Sequence, residues 1–174
     1  MKSHSHFSLG QKAMVVKTKR LYIMRHGHAE PFGYDQDAQR ALTEQGYDEV
    51  RSTADQFAAL NEDFDAIFVS PYLRAQQTAN EFIKVLGTKT LPQTLDSITP
   101  SGKELDVALW LYDQPYDSIL LVTHQPFAYQ LVDMLADQPL PAVFQMETAA
   151  IAALEGELFA TACCQFRWAI SPKH

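Results

Sequence analysis

The sequence predicts an α/β domain: a three-layer α/β/α arrangement whose central sheet is mostly parallel, with an antiparallel strand at one edge. Three observations predict it. Apolar runs of strand length recur along the chain, segments with helical periodicity lie between them, and the leading runs are apolar throughout, as strands covered on both faces are. A length of 174 residues suits one domain with a sizeable core and leaves little room for a second. Residues 1–18 are read as a mostly disordered tail and residues 19–174 as a single domain.

The elements follow in order. "RLYIMRH" (20–26) is the first strand. "TEQGYDEVRSTADQFAAL" (43–60) is a helix, opened by a Thr suited to an N-cap and carrying Val50, Ala54, Phe57 and Ala58 on one face. "DAIFVSP" (65–71) is the second strand. The helix "LRAQQTANEFIKVLG" (73–87) follows it, with Ala75, Ala79, Phe82, Ile83 and Leu86 at helical spacing and Gly87 at its close. "GKELDVALWLYDQ" (102–114) and "QPFAYQLVDMLADQ" (125–138) are helices on either side of the third strand, "SILLVTH" (118–124). "TAAIAALEG" (148–156) and "FATACCQFRWAI" (159–170) form a closing antiparallel hairpin at the sheet edge.

Composition excludes several functions. Hydrophobic residues make up 47% and charged residues 20% of the chain, which is globular usage, and its apolar runs are far shorter than the roughly 18–20 residues of a membrane span. A formal net charge of -7 argues against nucleic acid as a partner, because phosphate backbones are bound through clustered Lys and Arg. Any phosphate chemistry must therefore come from a local concentration of positive charge. Cys163 and Cys164 are adjacent, so a bridge between them needs a strained vicinal geometry; a reducing, cytoplasmic setting is expected. The first twenty residues hold no apolar segment long enough for a signal-peptide core. His4 and His6 form an H-x-H without further ligands, and no metal site is expected there.

In open α/β sheets ligands bind outside the carboxyl ends of the strands. Here those ends carry Arg25, His26 and Gly27 after the first strand, Arg74 in "SPYLRAQQT" after the second, and His124 after the third. Any one of these residues alone is more often structural. Together, two guanidinium forks can hold a tetrahedral phosphoryl group through charge-assisted hydrogen bonds. An imidazole nitrogen of His26 can then attack phosphorus in line and give a phosphohistidine that water hydrolyses. Gly27 lets the backbone approach closely, and the helix after His124 aims backbone N–H groups at the same anion. The positive groups neutralise the phosphoryl oxygens, so neither a metal nor a cofactor is expected.

"RHG", "SPYLRAQQTA" and "LLVTHQP", in that order, resemble the signature of the histidine phosphatase (phosphoglycerate mutase-like) superfamily, and "ALTEQGYDEV" resembles the segment in which its members begin their first helix. The resemblance runs from about residue 20 to residue 171. Within the superfamily, the short chain, the "ITPSG" turn (98–102) and "SPYLRAQQT" are most similar to the SixA-type protein phosphohistidine phosphatases. The resemblance implies that His26 is the nucleophile and that Arg25, Arg74 and His124 form the phosphate pocket, with the backbone N–H of Gln125 contributing.

Larger members of the superfamily place a Glu or Asp before the third strand to protonate an alkoxide leaving group. Here "DSITPSGKEL" (96–105) offers none clearly at the pocket. Asp96, Glu104 and, after the first motif, Glu30 are the nearest candidates, and each is read as a solvated charge. SixA-type members share this absence. A phosphorylated imidazole protonated on its other nitrogen leaves as a neutral ring and needs no acid. Short connections also leave no lid, so the crevice can admit a side chain standing on another protein. The expected activity is hydrolysis of phosphohistidine on a signalling or phosphotransfer protein, such as a histidine phosphotransfer domain. A small-metabolite phosphomonoesterase and a non-catalytic phosphate-binding module are the alternatives.

Overall fold

The computed structural model describes residues 17–33 and 36–174. The expected tail, His4 and His6 included, lies outside these residues apart from Lys17 and Thr18. In chain order the elements are β1 (Lys19–Arg25), α1 (Glu44–Ala59), β2 (Ala66–Val69), α2 (Leu73–Leu86), β3 (Pro92–Thr94), α3 (Glu104–Tyr112), β4 (Ser118–Thr123), α4 (Phe127–Leu135), β5 (Ile151–Gly156) and β6 (Gln165–Ile170). A 3-10 turn, Asp37–Gln39, interrupts the connection from β1 to α1. The sheet order is β3-β2-β4-β1-β5-β6. β1 to β4 are mutually parallel where they pair, and β5 runs against both of its neighbours, β1 and β6.

Strand alternation divides the core into two layers. Leu21, Ile23, Phe68, Ile119, Leu121 and Leu154 face α3 and α4, packing with Val107, Leu111, Phe127 and Leu131. Tyr22, Met24, Ile67, Val69, Leu120 and Val122 face α1 and α2, packing with Val50, Phe57, Ala79 and Phe82. Both faces of β1, β2 and β4 are thus covered, which is why those strands read as unbroken apolar runs. Each fully buried Leu, Ile or Phe contributes about 1.5–3 kcal/mol relative to exposure.

The helix ends follow their expected chemistry. Thr43 caps α1, its hydroxyl accepting the Gly46 N–H at 3.0 Å. Gly87 ends α2 in the left-handed region at φ 67°.

Several details differ from the sequence reading. β3, with the sequence Pro-Gln-Thr, is a three-residue strand at the sheet edge that no apolar pattern announces. The chain after α4 does not continue as helix to residue 138: Asp137 N–H bonds the Cys164 carbonyl at 2.7 Å, and Cys164 N–H bonds the Leu135 carbonyl at 2.8 Å. That pairing also keeps residues 159–164 out of β6, where Ala162 has φ 56°. The last difference is Ala58, which lies on the exposed side of α1 instead of the core face. Cys163 is exposed and Cys164 buried, and both are free thiols.

Candidate active site

The site arises because β1, β4 and β2 end at one level. Arg25 pairs with Thr123, and Val69 with Val122. The next residues, His26, His124 and Ser70, therefore leave the sheet side by side, and the His26 N–H still bonds the Thr123 carbonyl at 2.9 Å. The His26 and His124 ring centroids are 5.1 Å apart. Arg74, in the first turn of α2, reaches the same place, its Nε 3.2 Å from His26 Nε2. The structure thus brings together Arg25, His26, Arg74 and His124.

Each side chain is oriented by identifiable neighbours. His26 Nδ1 lies 2.7 Å from the Gly27 carbonyl, which can only accept, so Nδ1 carries the proton. Nε2 then holds a lone pair, which the Arg74 Nε–H covers. His26 is 8% exposed. Burial pushes its pKa down to about 4, the nearby cations Arg74, Arg25 and Arg40 add to that, and the Gly27 carbonyl works in the opposite direction. At neutral pH the ring is uncharged.

His124 is 1% exposed, and its Nε2 lies 2.7 Å from Ser70 Oγ. That oxygen also accepts the Tyr72 N–H at 3.3 Å. The His124 Nδ1 is buried and has no partner. Burial, followed by the nearness of His26 and Arg74, pushes the His124 pKa down to about 2. At neutral pH the ring is therefore uncharged.

Arg25 donates through Nη1 to the Met146 carbonyl at 3.0 Å, while its Nε is buried without a partner. Burial lowers its pKa, partly offset by the Glu49 carboxylate. Beyond Arg25 opens a hollow lined by Gln125, Tyr129, Phe144 and Glu147. Unpaired buried donors are rare in native proteins and mark places where an acceptor belongs.

The glycine of the motif lies against the backbone of α1. The Gly27 N–H donates to Thr78 Oγ1 at 3.0 Å, and a Cβ on Gly27 would come within 2.7 Å of the Gly46 carbonyl oxygen. Gly46 in turn has no room for a side chain beside the His28 carbonyl. The close backbone approach that Gly27 permits is to α1, and it fixes the loop that carries His26. Glu49 helps by accepting the His28 N–H at 2.8 Å. Behind His26, the Ala149 N–H bonds the His26 carbonyl at 3.0 Å from a backbone at φ 58°.

Gln125 directly follows His124, and its side-chain oxygen accepts the Tyr129 N–H at 2.8 Å, capping α4, which begins two residues later than the sequence suggests. Among the acid candidates, Glu30 and Asp96 are exposed and Glu104 is half-buried at the start of α3; none of the three forms an ion pair among the described residues.

Sequence reasoning missed Ser70, Asp37 and Arg40. Ser70 sat inside a quoted motif without a role. Asp37 accepts from Arg74 Nη2 and from Arg40 Nε, and its 3-10 turn had no apolar signal to locate it.

Two buried imidazoles and two arginines thus surround buried, unpartnered polar atoms, an arrangement suited to an anionic phosphoryl group. The family model of the histidine phosphatase superfamily (branch 1) matches residues 21–97, and the chain belongs to that superfamily. It is similar to the phosphohistidine phosphatase SixA of Escherichia coli (strain K12), at 30% identity over 88% of this chain and 94% of that protein. A SixA homolog from Haemophilus influenzae is 30% identical over 75% of this chain and 85% of its own. Among solved structures, the protein histidine phosphatase SixA complexed with tungstate superposes with a TM-score of 0.77 at 31% identity, covering 88% of this chain and 97% of that one. The fold read from the sequence and the family resemblance both hold. No helix among the described residues is long and apolar enough to cross a membrane.

Proposed function

We propose that this enzyme hydrolyses phosphohistidine on a signalling or phosphotransfer protein, through a phosphoryl group carried on His26. Arg25, Arg74 and the His124 Nδ1–H take the phosphoryl oxygens, with the Gln125 backbone N–H assisting. As the anion enters, the Arg74 Nε–H passes from His26 Nε2 to a phosphoryl oxygen. The freed lone pair forms the new N–P bond. The P–N bond of the substrate breaks, and its electron pair goes to the departing imidazole, which already carries a proton on its other nitrogen and leaves neutral. The phosphorylated His26 ring is a cation, and its Nδ1–H remains on the Gly27 carbonyl. Water then attacks phosphorus, the electron pair returns to Nε2, and phosphate leaves with the proton shared between it and solvent.

The observation that carries this reading is the character of Asp37, the carboxylate that is ion-paired at the pocket; Glu147 lines the hollow beyond Arg25. Among the described residues only Asp37 pairs with a pocket residue, Arg74. Burial pushes the Asp37 carboxyl up, but Arg40 and Arg74 outweigh it and hold the pKa below the usual carboxylate range. It is therefore ionised at neutral pH and has no proton to give an alkoxide. A P–N substrate needs none. The partner is thus a phosphohistidine-bearing protein, of which a histidine phosphotransfer domain is the expected kind, and the working compartment is the cytoplasm. Residues 19–174 act as one domain. The test is turnover of a phosphohistidine protein beside common phosphomonoesters. Faster hydrolysis of the phosphohistidine is expected; faster hydrolysis of the esters would favour a metabolite phosphatase.

A further inference from the structure

Arg74 is the most constrained side chain of the site. Its Nη1 donates to the Asp37 carbonyl at 2.7 Å and its Nη2 to Asp37 Oδ2 at 3.3 Å. One residue thus grips the outer end of the guanidinium by both main chain and side chain. The opposite edge, through Nε, rests on His26 Nε2 at 3.2 Å. Asp37 is itself held: Arg40 Nε donates to its Oδ1 at 2.8 Å, Arg40 N–H to its carbonyl at 3.2 Å, and Arg40 Nη1 to the Glu30 carbonyl at 2.7 Å. Arg40 also lies over the Phe32 ring, 4.1 Å from its centroid. A continuous series of contacts therefore runs from the loop after β1, through Asp37 and Arg74, to the attacking nitrogen.

We propose that Asp37 is a positioning residue: by gripping the outer end of the Arg74 guanidinium it keeps Nε–H over the His26 lone pair until a phosphoryl oxygen takes that hydrogen bond. The geometry gives the two edges of the guanidinium different tasks. The end that Asp37 holds stays fixed, and the Nε edge moves by only the small distance between His26 Nε2 and an oxygen on the phosphorus it attacks. A planar fork anchored at one end can do this with little loss of orientation, whereas a Lys ammonium cannot. Capping also keeps the resting nitrogen from protons and from adventitious electrophiles. The inference rests on His26 being the nucleophile, but the test does not depend on turnover.

The proton affinity of His26 in the resting protein reports on the cap. The charged and titratable groups facing that ring are Arg25 from β1, Arg40 from the loop, Arg74 from α2 and His124 after β4. Loss of the Asp37 charge alone makes the surroundings more positive and lowers the proton affinity of His26. Release of Arg74 uncovers the lone pair and raises it. The sign of the change therefore distinguishes the two effects.

Histidine side-chain NMR, with the His26 signal assigned by its loss in His26→Ala, measures this directly. In Asp37→Ala, which leaves Arg74 a single anchor, His26 is expected to gain about tenfold in proton affinity. Asp37→Asn, which keeps an oxygen on Nη2, is expected to leave it unchanged or lower. Turnover in Asp37→Ala should fall by about tenfold or more, with Asp37→Asn recovering most of it. A folded Asp37→Ala whose His26 titrates like that of Asp37→Asn would overturn the proposal. If Asp37→Ala does not fold, Arg74→Lys decides: it removes the Nε–H, and an unchanged His26 titration there would equally overturn it. Should the titrations behave as expected while the wild type fails to hydrolyse phosphohistidine, the substrate assignment falls and the positioning role stands.

Discussion

The two ends of β1 both carry arginines, and they are treated in opposite ways. At the start of the strand, Arg20 pairs with Glu62 at 2.7 Å and with Glu155 at 3.7 Å, and Arg167 pairs with Glu155 at 3.2 Å. The Tyr22 hydroxyl donates to the same Glu62. Both arginines there have a carboxylate, while Lys19 donates to the Gln114 carbonyl at 3.4 Å. At the end of the strand, Arg25 forms no ion pair among the described residues, its Nε and the neighbouring His124 Nδ1 are buried unpartnered, and both histidines are held neutral. Self-satisfied charge is structural, whereas charge left unpaired at the cost of burial is functional. The chain is acidic as a whole, so the unpaired Arg25 at this end stands out against a negative background.

If that contrast is right, substitutions at the two ends should separate activity from stability. The largest effect is expected from His26→Ala, which should lower turnover by on the order of 10³-fold or more while leaving the fold intact by circular dichroism. Acid should be the next strongest perturbation. His26 is held at about 4 in the folded protein against 6.5 ordinarily. Below 6.5 the unfolded chain takes up a proton that the folded one refuses, so this contribution is fully present above 6.5 and is lost as pH falls from 6.5 toward 4. Urea unfolding at pH 7 and pH 5 should differ by about 2 kcal/mol from this residue, and His26→Ala should lose that share of the slope while His124, pushed down to about 2, keeps its own. An equal slope in the variant would place the pH dependence elsewhere.

Arg74→Lys keeps the charge and loses the fork. Turnover should drop about tenfold, equivalent to about 1.4 kcal/mol; wild-type activity would mean that the planar geometry is unimportant. At the opposite end, Tyr22→Phe should cost about 1 kcal/mol of stability for its hydrogen bond to Glu62, with turnover unchanged. A loss of activity there would break the separation of the two ends. Smallest of all, Glu30→Gln, Asp96→Asn and Glu104→Gln should each keep most of their activity on phosphohistidine. General acid assistance is worth on the order of 10²–10⁴ in rate, so a fall of that size in any one of them would identify a missing proton donor.

The parts of this molecule that were legible in the sequence are those in which one local signal suffices. β1, β2 and β4 are apolar on both faces because both faces are covered, and the residues following them had to meet once the strands were parallel. Thr43 and Gly87 announced helix ends by their own chemistry. β3 was invisible because its half-exposed Pro-Gln-Thr strand, lying at the sheet edge, buries almost nothing. Asp37 was invisible for another reason: its importance lies in a contact with Arg74, far along the chain, and no periodicity records such a pairing. Residues 159–164 misled because Phe159 and Cys164 are buried by a turn that packs against the end of α4, which imitates the composition of a strand.

The central claim is that His26 Nε2 accepts the phosphoryl group, and it is tested most directly by trapping the intermediate. Brief reaction with a phosphohistidine protein, quenching in base and peptide mapping by mass spectrometry should find one acid-labile, base-stable phosphate on the peptide containing His26, lost in His26→Ala and retained in Asp96→Asn. Phosphate on His124 or on any other residue, or its persistence in the His26 variant, would contradict the account.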